Sequence, residues 1–435
     1  MKIVDVNLLS PASRGLLEAV AAVAAELGLP VYLVGGPVRD LLLGKQPTDL
    51  DIAVEMDAIR LAKGLQARFG GELQLHTRFG TAKWLLTTAV WEAIDSTLAD
   101  SAIKDVDFAT TRTETYAHPA ALPDVAFAPI AEDLKRRDFT INALALRLDG
   151  PEQERLVDLY GGQQDLAAGV VRVLHDQSFF DDPTRSWRAV RFARRFGFQL
   201  ETETANWLQQ ALPHMEQVSG ERLTYEIRLV LQESEPASIL AQLDKQGILR
   251  AVDEGLVWLA ETAVSFNRLP HLVKSEPWLS HLPAETAVFA RLALWLTSLP
   301  VGTQTAVMTR LRLPKRDQVD ITAVHALKHA ISTLDDAMQP SEIEQALRGI
   351  PLRVLLTVQA DLAAEHWFAE RLAAYVGVWR WVKTAVTGDD LRTLGLPPGP
   401  RYREILNEVL AEKINGRLPT EADERAYLEG LVAKG

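Results

Sequence analysis

The apolar pattern of this chain changes character near residue 178, and that change constrains its fold more than any other feature. Before it, short apolar or β-branched runs alternate with helical spacing. Leu16 to Leu27 repeats at three and four residues, Val31 to Val34 is a strand-like run closed by Gly35 and Gly36, and Asp49 to Val54 reads as a second strand. Similar runs recur at Trp84 to Val90, Val106 to Thr111 and Leu156 to Leu159. Beyond it, Ser186 to Phe196, Thr204 to Leu212, Arg222 to Leu231 and Ala287 to Leu296 carry helical spacing. Breaks are expected at Pro236, Gly247, Pro300 to Gly302, Pro340 and Gly388 to Pro400. The expected fold class is α+β: a mixed-sheet head over 1–150, then all-α segments over 151–235, 236–335 and 336–435.

The 435 residues contain no cysteine, which excludes disulfide frameworks, thiolate metal sites and a cysteine nucleophile. The first residues carry Lys2 and Asp5 and lead into a segment holding Glu18 and Glu26, without the uninterrupted apolar stretch of a signal peptide, so none is expected. The longest uncharged apolar stretch, Leu292 to Met308, is broken by Pro300 and Gly302, so no membrane span is expected and a cytoplasmic location is. The formal net charge is −12, which on its own argues against a nucleic-acid partner. More than half of that excess lies in residues 1–134, however, while Arg185, Arg188, Arg191 and Arg195 fall on one face of a single helix. The total is therefore a poor guide to the binding surface.

Three clusters carry chemistry. In the first, Leu33 to Val54, Gly35 and Gly36 lack a Cβ and let a phosphate approach their backbone N–H groups, with Pro37 opening a helix and Arg39 one turn in. Asp49 and Asp51 follow; in a strand they share a face, and paired carboxylates call for a shared cation, Mg²⁺ being the hard ion that also takes substrate phosphates. The second cluster runs from Asp133 to Leu144 and the third is Asp181-Asp182-Pro183-Thr184-Arg185, where Asp182 suits an N-cap and Pro183 a first helical position.

Gly-Gly-x-x-Arg-Asp followed by Asp-x-Asp resembles the nucleotidyltransferases of the polymerase β superfamily, in the branch holding class II CCA-adding enzymes and bacterial poly(A) polymerases. The resemblance implies a polymerase-β-like head followed by helical neck, body and tail. It implies two Mg²⁺ ions on Asp49 and Asp51, and a third catalytic carboxylate upstream of Arg112. Asp107 is favoured there over Asp105, which shares its face. It implies a triphosphate contact for Arg137 and ribose contacts for Asp138 and Asn142, which four-residue spacing would put on one helical face. It places Arg188 and Arg191 beside the nucleotide. It makes Asp182 and Arg185 a protein template for the incoming base. A carboxylate only accepts hydrogen bonds and a guanidinium only donates them, so the pair admits cytosine and adenine and refuses uracil and guanine.

Gly220 to Glu226 resembles a family element that the i,i+4 spacing of Arg222 and Glu226 reads as a structural pair. Gly388 to Leu391, Leu394 to Leu396 and Pro398 to Pro400 resemble the tail of long tRNA nucleotidyltransferases. His325 and His329 lack the adjacent Asp of a phosphohydrolase motif. The implied activity is template-independent addition of C and A from CTP and ATP to the 3′ end of tRNA, with no obligatory protein partner. A-adding, CC-adding and poly(A)-adding enzymes keep the same motifs, and separating the first two from full addition depends on a flexible head loop, for which Thr113 to Ala131 and His76 to Lys83 are candidates. A silent RNA-binding protein is disfavoured, because it gains nothing from repelling carboxylates. A small-molecule nucleotidyltransferase is disfavoured by the long helical part.

Overall fold

The structure, a computed structural model, describes residues 4–99, 101–115, 118, 120, 121, 123–283, 285–332, 334–363 and 366–433. The chain divides into two units, residues 1–226 with 245–252 and residues 227–244 with 253–435.

The first unit opens with α1 (Pro11–Leu27), which starts under a Ser10 side chain that accepts the Ser13 N–H and stops at Gly28 in the left-handed region. There follow β1 (Val31–Val34), α2 (Gly36–Leu42), β2 (Asp51–Val54), α3 (Ala58–Phe69), β3 (Glu72–His76), β4 (Thr81–Leu85), α4 (Thr88–Ile94) and β5 (Asp105–Thr110). Next come the hairpin β6 (Arg112–Thr115) and β7 (Asp124–Phe127), then α5 (Ile130–Lys135), β8 (Leu144–Arg147), β9 (Leu156–Asp158) and α6 (Gly162–Ala168). Seven strands form one sheet in the order β3-β4-β5-β2-β1-β8-β9. All its pairs are antiparallel except β2 with β5, which run parallel with Asp51 opposite Asp107. Tyr32, Val34, Ala53, Ala143 and Ala145 bury one face of the sheet against Ile130 and Leu134 of α5.

Two expected strands are corrected. Trp84 to Val90 is not a strand: β4 ends at Leu85, and Val90 and Trp91 are buried from α4. Asp49 to Val54 is a strand only from Asp51, the residue at which pairing with β5 begins. Asp49 stays in the preceding bend, exposed.

Up to residue 226 the first unit continues with β10 (Val170–Val171), α7 (Ser178–Asp181), α8 (Arg185–Phe196), β11 (Gln199–Leu200), α9 (Thr202–Ala211) and the start of α10 (Gly220–Gln232), and its segment 245–252 holds a short helix, Ile248–Val252. Trp187, Ala189 and Val190 form the fully buried side of α8.

Among its described residues the second unit is helices and turns. The expected breaks at Pro236, Pro340 and Pro400 are helix starts, and Pro300 is the residue before one. Proline's fixed φ and missing N–H suit a first turn, so it punctuates these helices without a long gap. Gly388–Thr393 is itself a short helix under a Thr387 cap. Among the described residues no helix is long and apolar enough to cross a membrane.

Candidate active site

The floor of the site is the turn from β1 into α2. Gly35 has φ 70° and ψ −123°, a conformation open to glycine, and a Cβ there would lie 2.7 Å from Arg137 Nη1. Arg39 is buried on α2; its Nη1 donates to Asn142 Oδ1 at 2.6 Å and its Nε to Asp40 Oδ1 at 2.9 Å. It is held in place before any ligand arrives.

Beside this turn stand Asp51 and Asp107, partners across the parallel pair of strands. Burial pushes the Asp51 carboxyl above its ordinary range, and the charges of Asp107 and Asp49 add to the shift while Arg137 and Lys83 oppose it. Lys83 on β4 donates to Asp105 Oδ1 at 2.6 Å and to Asp107 Oδ2 at 2.9 Å. Asp105 and Asp107 do share a face, and a lysine ammonium spans them. Asp49 does not join Asp51 on the strand face; its carboxylate accepts the Thr48 hydroxyl at 3.2 Å. Among the described residues no group of three or more His, Asp or Glu side chains is gathered to hold a metal ion.

The second cluster is a network of ion pairs. Arg137 Nη2 donates to Asp133 Oδ2 at 3.0 Å, and Arg136 bridges Asp133 at 2.7 Å and Glu114 at 2.9 Å. Asp138 and Asn142 come together, but not on an α-helix: α5 has ended at Lys135, and residues 140–142 form one 3₁₀ turn. Asn142 Nδ2 donates to Asp138 Oδ1 at 3.0 Å, and Arg188 Nε donates to Asp138 Oδ2 at 2.8 Å. Burial raises the Asp138 carboxyl, yet the Arg188 guanidinium and the hydrogen bonds from Asn142 and Arg188 outweigh it and bring it down to about 2 from 3.8.

A carboxylate depressed by folding stabilises the fold above its unfolded value and loses that contribution as pH falls toward the folded one. Between pH 4 and 2 the protein is thus expected to lose on the order of 2 kcal/mol through Asp138. Urea unfolding across that window should show this slope in the parent chain and a shallower one in Asp138→Asn. Equal slopes would remove Asp138 as the cause.

The third cluster sits between α7 and α8. The helix is assigned from Arg185, with Asp182 two residues before its Thr184 cap position rather than at the cap itself. Asp182 nevertheless does capping work: its Oδ1 accepts the Thr184 N–H at 3.0 Å and hydroxyl at 2.6 Å. The same oxygen accepts Arg222 Nη2 at 2.6 Å. Among the described residues Oδ2 accepts no hydrogen bond. Arg185 is buried; its Nη1 donates to Ser178 Oγ at 2.7 Å and its Nη2 to the Arg136 carbonyl at 2.9 Å, while its Nε donates to no described residue.

The expected Arg222–Glu226 pair is corrected: Arg222 goes to Asp182 and to the Ala120 carbonyl, and Glu226 faces Arg191 at 3.9 Å. The i,i+4 pair, worth only about 0.3–0.5 kcal/mol on a helix surface, gives way to a partner across the cleft.

These groups line one cleft of about 860 Å³ within the first unit. Gly35, Gly36, Arg39, Asp51, Asp107, Arg137, Asp138, Asn142, Asp182, Arg185, Arg188 and Arg191 all line it, and Asp49 does not. Sequence reasoning missed Glu114, Asp133, Phe192 and the exposed Tyr225, which line it too, and Lys83, which acts behind Asp107. For Asp133 the signal was present, since it sits four residues before Arg137. For Lys83 there was none without the β4–β5 register, which sets it opposite Asp107. Of the loop candidates, Thr113 to Ala131 is the β6–β7 hairpin, in which residues 116, 117, 119 and 122 lie outside the described residues, and His76 to Lys83 includes a 3₁₀ turn at Thr77–Phe79.

Residues 31–172 match the Poly A polymerase head domain, and residues 197–257 match the probable RNA and SrmB-binding site of polymerase A. The A-adding tRNA nucleotidyltransferase of Halalkalibacterium halodurans is 31% identical over 412 residues, covering 94% of this chain and 90% of that protein. The chain belongs to the tRNA nucleotidyltransferase family. The A-adding tRNA nucleotidyltransferase of Geobacter sulfurreducens is 36% identical over 423 residues; there the match covers 94% of this chain but only 46% of the longer relative. Among solved structures, a CCA-adding enzyme in complex with ATP superposes with a TM-score of 0.76 at 28% identity, covering 99% of this chain and 97% of that one. Membership accounts for the α+β architecture, a polymerase head followed by helices.

Proposed function

We propose that this chain adds C and A, from CTP and ATP, to the 3′ end of tRNA without a nucleic-acid template. The observation that carries this reading is the meeting, in one cleft, of the Asp51–Asp107 pair with the Asp182 and Arg185 pair. The first is equipment for phosphoryl transfer; the second offers one acceptor and one donor to a base.

Asp51 and Asp107 fit a hard divalent cation: they are neighbouring carboxylates across the parallel strands, both exposed to the cleft, and the repulsion between their charges is relieved by a shared cation. Asp49, one bend away, is available as a further oxygen ligand, and Mg²⁺ is the ion proposed. Bound there with a substrate triphosphate, such ions supply charge neutralisation and lower the pKa of an attacking hydroxyl. Arg137 and Arg39 flank the Gly35–Gly36 turn and are placed to take phosphate oxygens. Asp138 and Asn142 are assigned to the ribose, and Arg188 and Arg191 to the nucleotide. Asp182 Oδ2 is assigned to accept from the exocyclic amino group of C or A, and Arg185 Nε to donate to the ring nitrogen beside it. Residues 151–235, 236–335 and 336–435 are proposed as neck, body and tRNA-contacting tail, acting in the cytoplasm.

A second reading, addition of the terminal A alone, is favoured by the two relatives at 31% and 36% identity, both A-adding enzymes, against 28% for the CCA-adding structure. The test uses three tRNA substrates ending before CCA, after C and after CC, each with CTP and ATP, and sequencing of the product ends. Completion of all three to CCA is the expected result. Extension of only the CC-ended tRNA selects the second reading, and no extension of any of the three sinks both.

A further inference from the structure

The Phe192 ring is surrounded by positive charge. The guanidinium carbon of Arg191 lies 4.9 Å from its centroid, that of Arg39 at 5.5 Å, and those of Arg188 and Arg195 at 5.8 Å each. The ring is only 6% exposed. Phe139 meets it edge-on at 5.8 Å, and Phe196 stacks on it at 6.1 Å with planes 17° apart. Helical spacing explains three of these neighbours, since Arg188, Arg191 and Arg195 share its helix. Arg39 comes from α2, at the Gly35–Gly36 turn, and its guanidinium lies by both stacked rings, 4.7 Å from the Phe196 centroid and 5.5 Å from that of Phe192.

Gathering four cations in this way needs compensation, because like charges at this spacing repel. Part of it is carboxylate: Asp138 takes Arg188, Glu226 faces Arg191 and Asp40 takes Arg39. The ring adds to it, through the negative electrostatic face that draws guanidiniums to within about 6 Å. An aliphatic side chain would fill the same space against Phe139 and Phe196 but has no such face.

We propose that Phe192 is a positioning residue of the nucleotide site: its π face, together with their polar partners, helps to hold four arginines at fixed places in the cleft, and so raises the affinity for a nucleoside triphosphate. The inference rests on the reading of this cleft as a nucleotide site. A triphosphate then meets guanidiniums already arrayed, and the ordering of long, flexible side chains is settled before binding.

The test replaces Phe192 in the full chain by mono-, di- and trifluorophenylalanine, which keep the ring's shape while weakening its negative face step by step. Binding of ATP and of CTP in the presence of Mg²⁺ is measured by calorimetry, with the melting temperature alongside. The expected result is a dissociation constant that climbs with each fluorine, to about 10-fold at three, with an unchanged melting temperature. Phe192→Leu should weaken binding at least as much, and Phe192→Tyr, which keeps the ring, should stay within about 3-fold of the parent. Phe266→Leu, at a buried phenylalanine of the second unit, should lower the melting temperature and leave affinity unmoved. Affinity that is flat across the fluorinated series, in a parent that binds both triphosphates, overturns the inference alone. A parent that binds neither overturns the proposed function and this inference together.

Discussion

Replacing Asp51 by asparagine is expected to lower nucleotide incorporation about 10³-fold or more while leaving tRNA affinity within a few-fold of the parent. The substitution keeps size and shape, so β2 still pairs with β5 and the Asp51–Asp107 register survives. It removes one anionic ligand of a centre that has few. Asp51 is the sharper choice over Asp49 because it is the one that lines the cleft and whose carboxyl is raised by burial and by its acidic neighbours. Asp107→Asn should fall in the same range. Turnover within 10-fold of the parent in Asp51→Asn would place the metal centre elsewhere, and a loss of tRNA binding with normal turnover per bound complex would do so equally.

The second large effect is on base choice. Asp182 spends one oxygen on the Thr184 cap and on Arg222, and the other accepts no hydrogen bond among the described residues, which leaves it for the base in the proposed reading. In Asp182→Asn the amide oxygen keeps the cap, and the amide nitrogen replaces the retained oxygen with a donor. A base that offers an amino group then meets another donor, whereas a base that offers a carbonyl finds a partner. Incorporation of U and G relative to C and A should rise about 10²-fold, with triphosphate affinity changed much less. Measuring kcat/KM for all four triphosphates on one tRNA decides the matter; an unchanged ratio would remove Asp182 from base selection. Asparagine is preferable to alanine here, since alanine would also leave the Thr184 and Arg222 donors unpaired, at about 1–3 kcal/mol each.

What was legible in the sequence was mostly local. Gly35-Gly36 after an apolar run, and a basic face on α8 opposite Trp187 and Val190, follow from spacings of a few residues, which dihedral geometry converts directly into direction. The pairing of Asp51 with Asp107 needed a parallel register between distant segments, and only the family resemblance supplied it. Asp49 shows the limit of periodicity. Its two-residue offset from Asp51 suggested a shared strand face, but the chain joins β5 only at Asp51, although β5 itself starts two residues before Asp107, so Asp49 stays in the bend. Arg222 shows another. Glu226 was the carboxylate at i,i+4 helical spacing, whereas Asp182 was the one across the cleft, and no sequence pattern ranks two such partners. Phe192 follows Arg191 on α8, but its approach to Arg39 of α2 exists only in the folded chain.

The lysine on β4 has a consequence for the resting protein. Lys83 donates to two carboxylates at once, and the hydrogen bonds to Asp105 and Asp107 hold its ammonium above its ordinary range, so it stays charged. It serves β5 as a tethered counter-ion. Were Asp107 to take a cation, as proposed, Lys83 would still be held by Asp105 on the same strand. The middle of the sheet thus carries a positive charge tethered to the chain, which offsets part of the repulsion between the two carboxylates and cannot diffuse away.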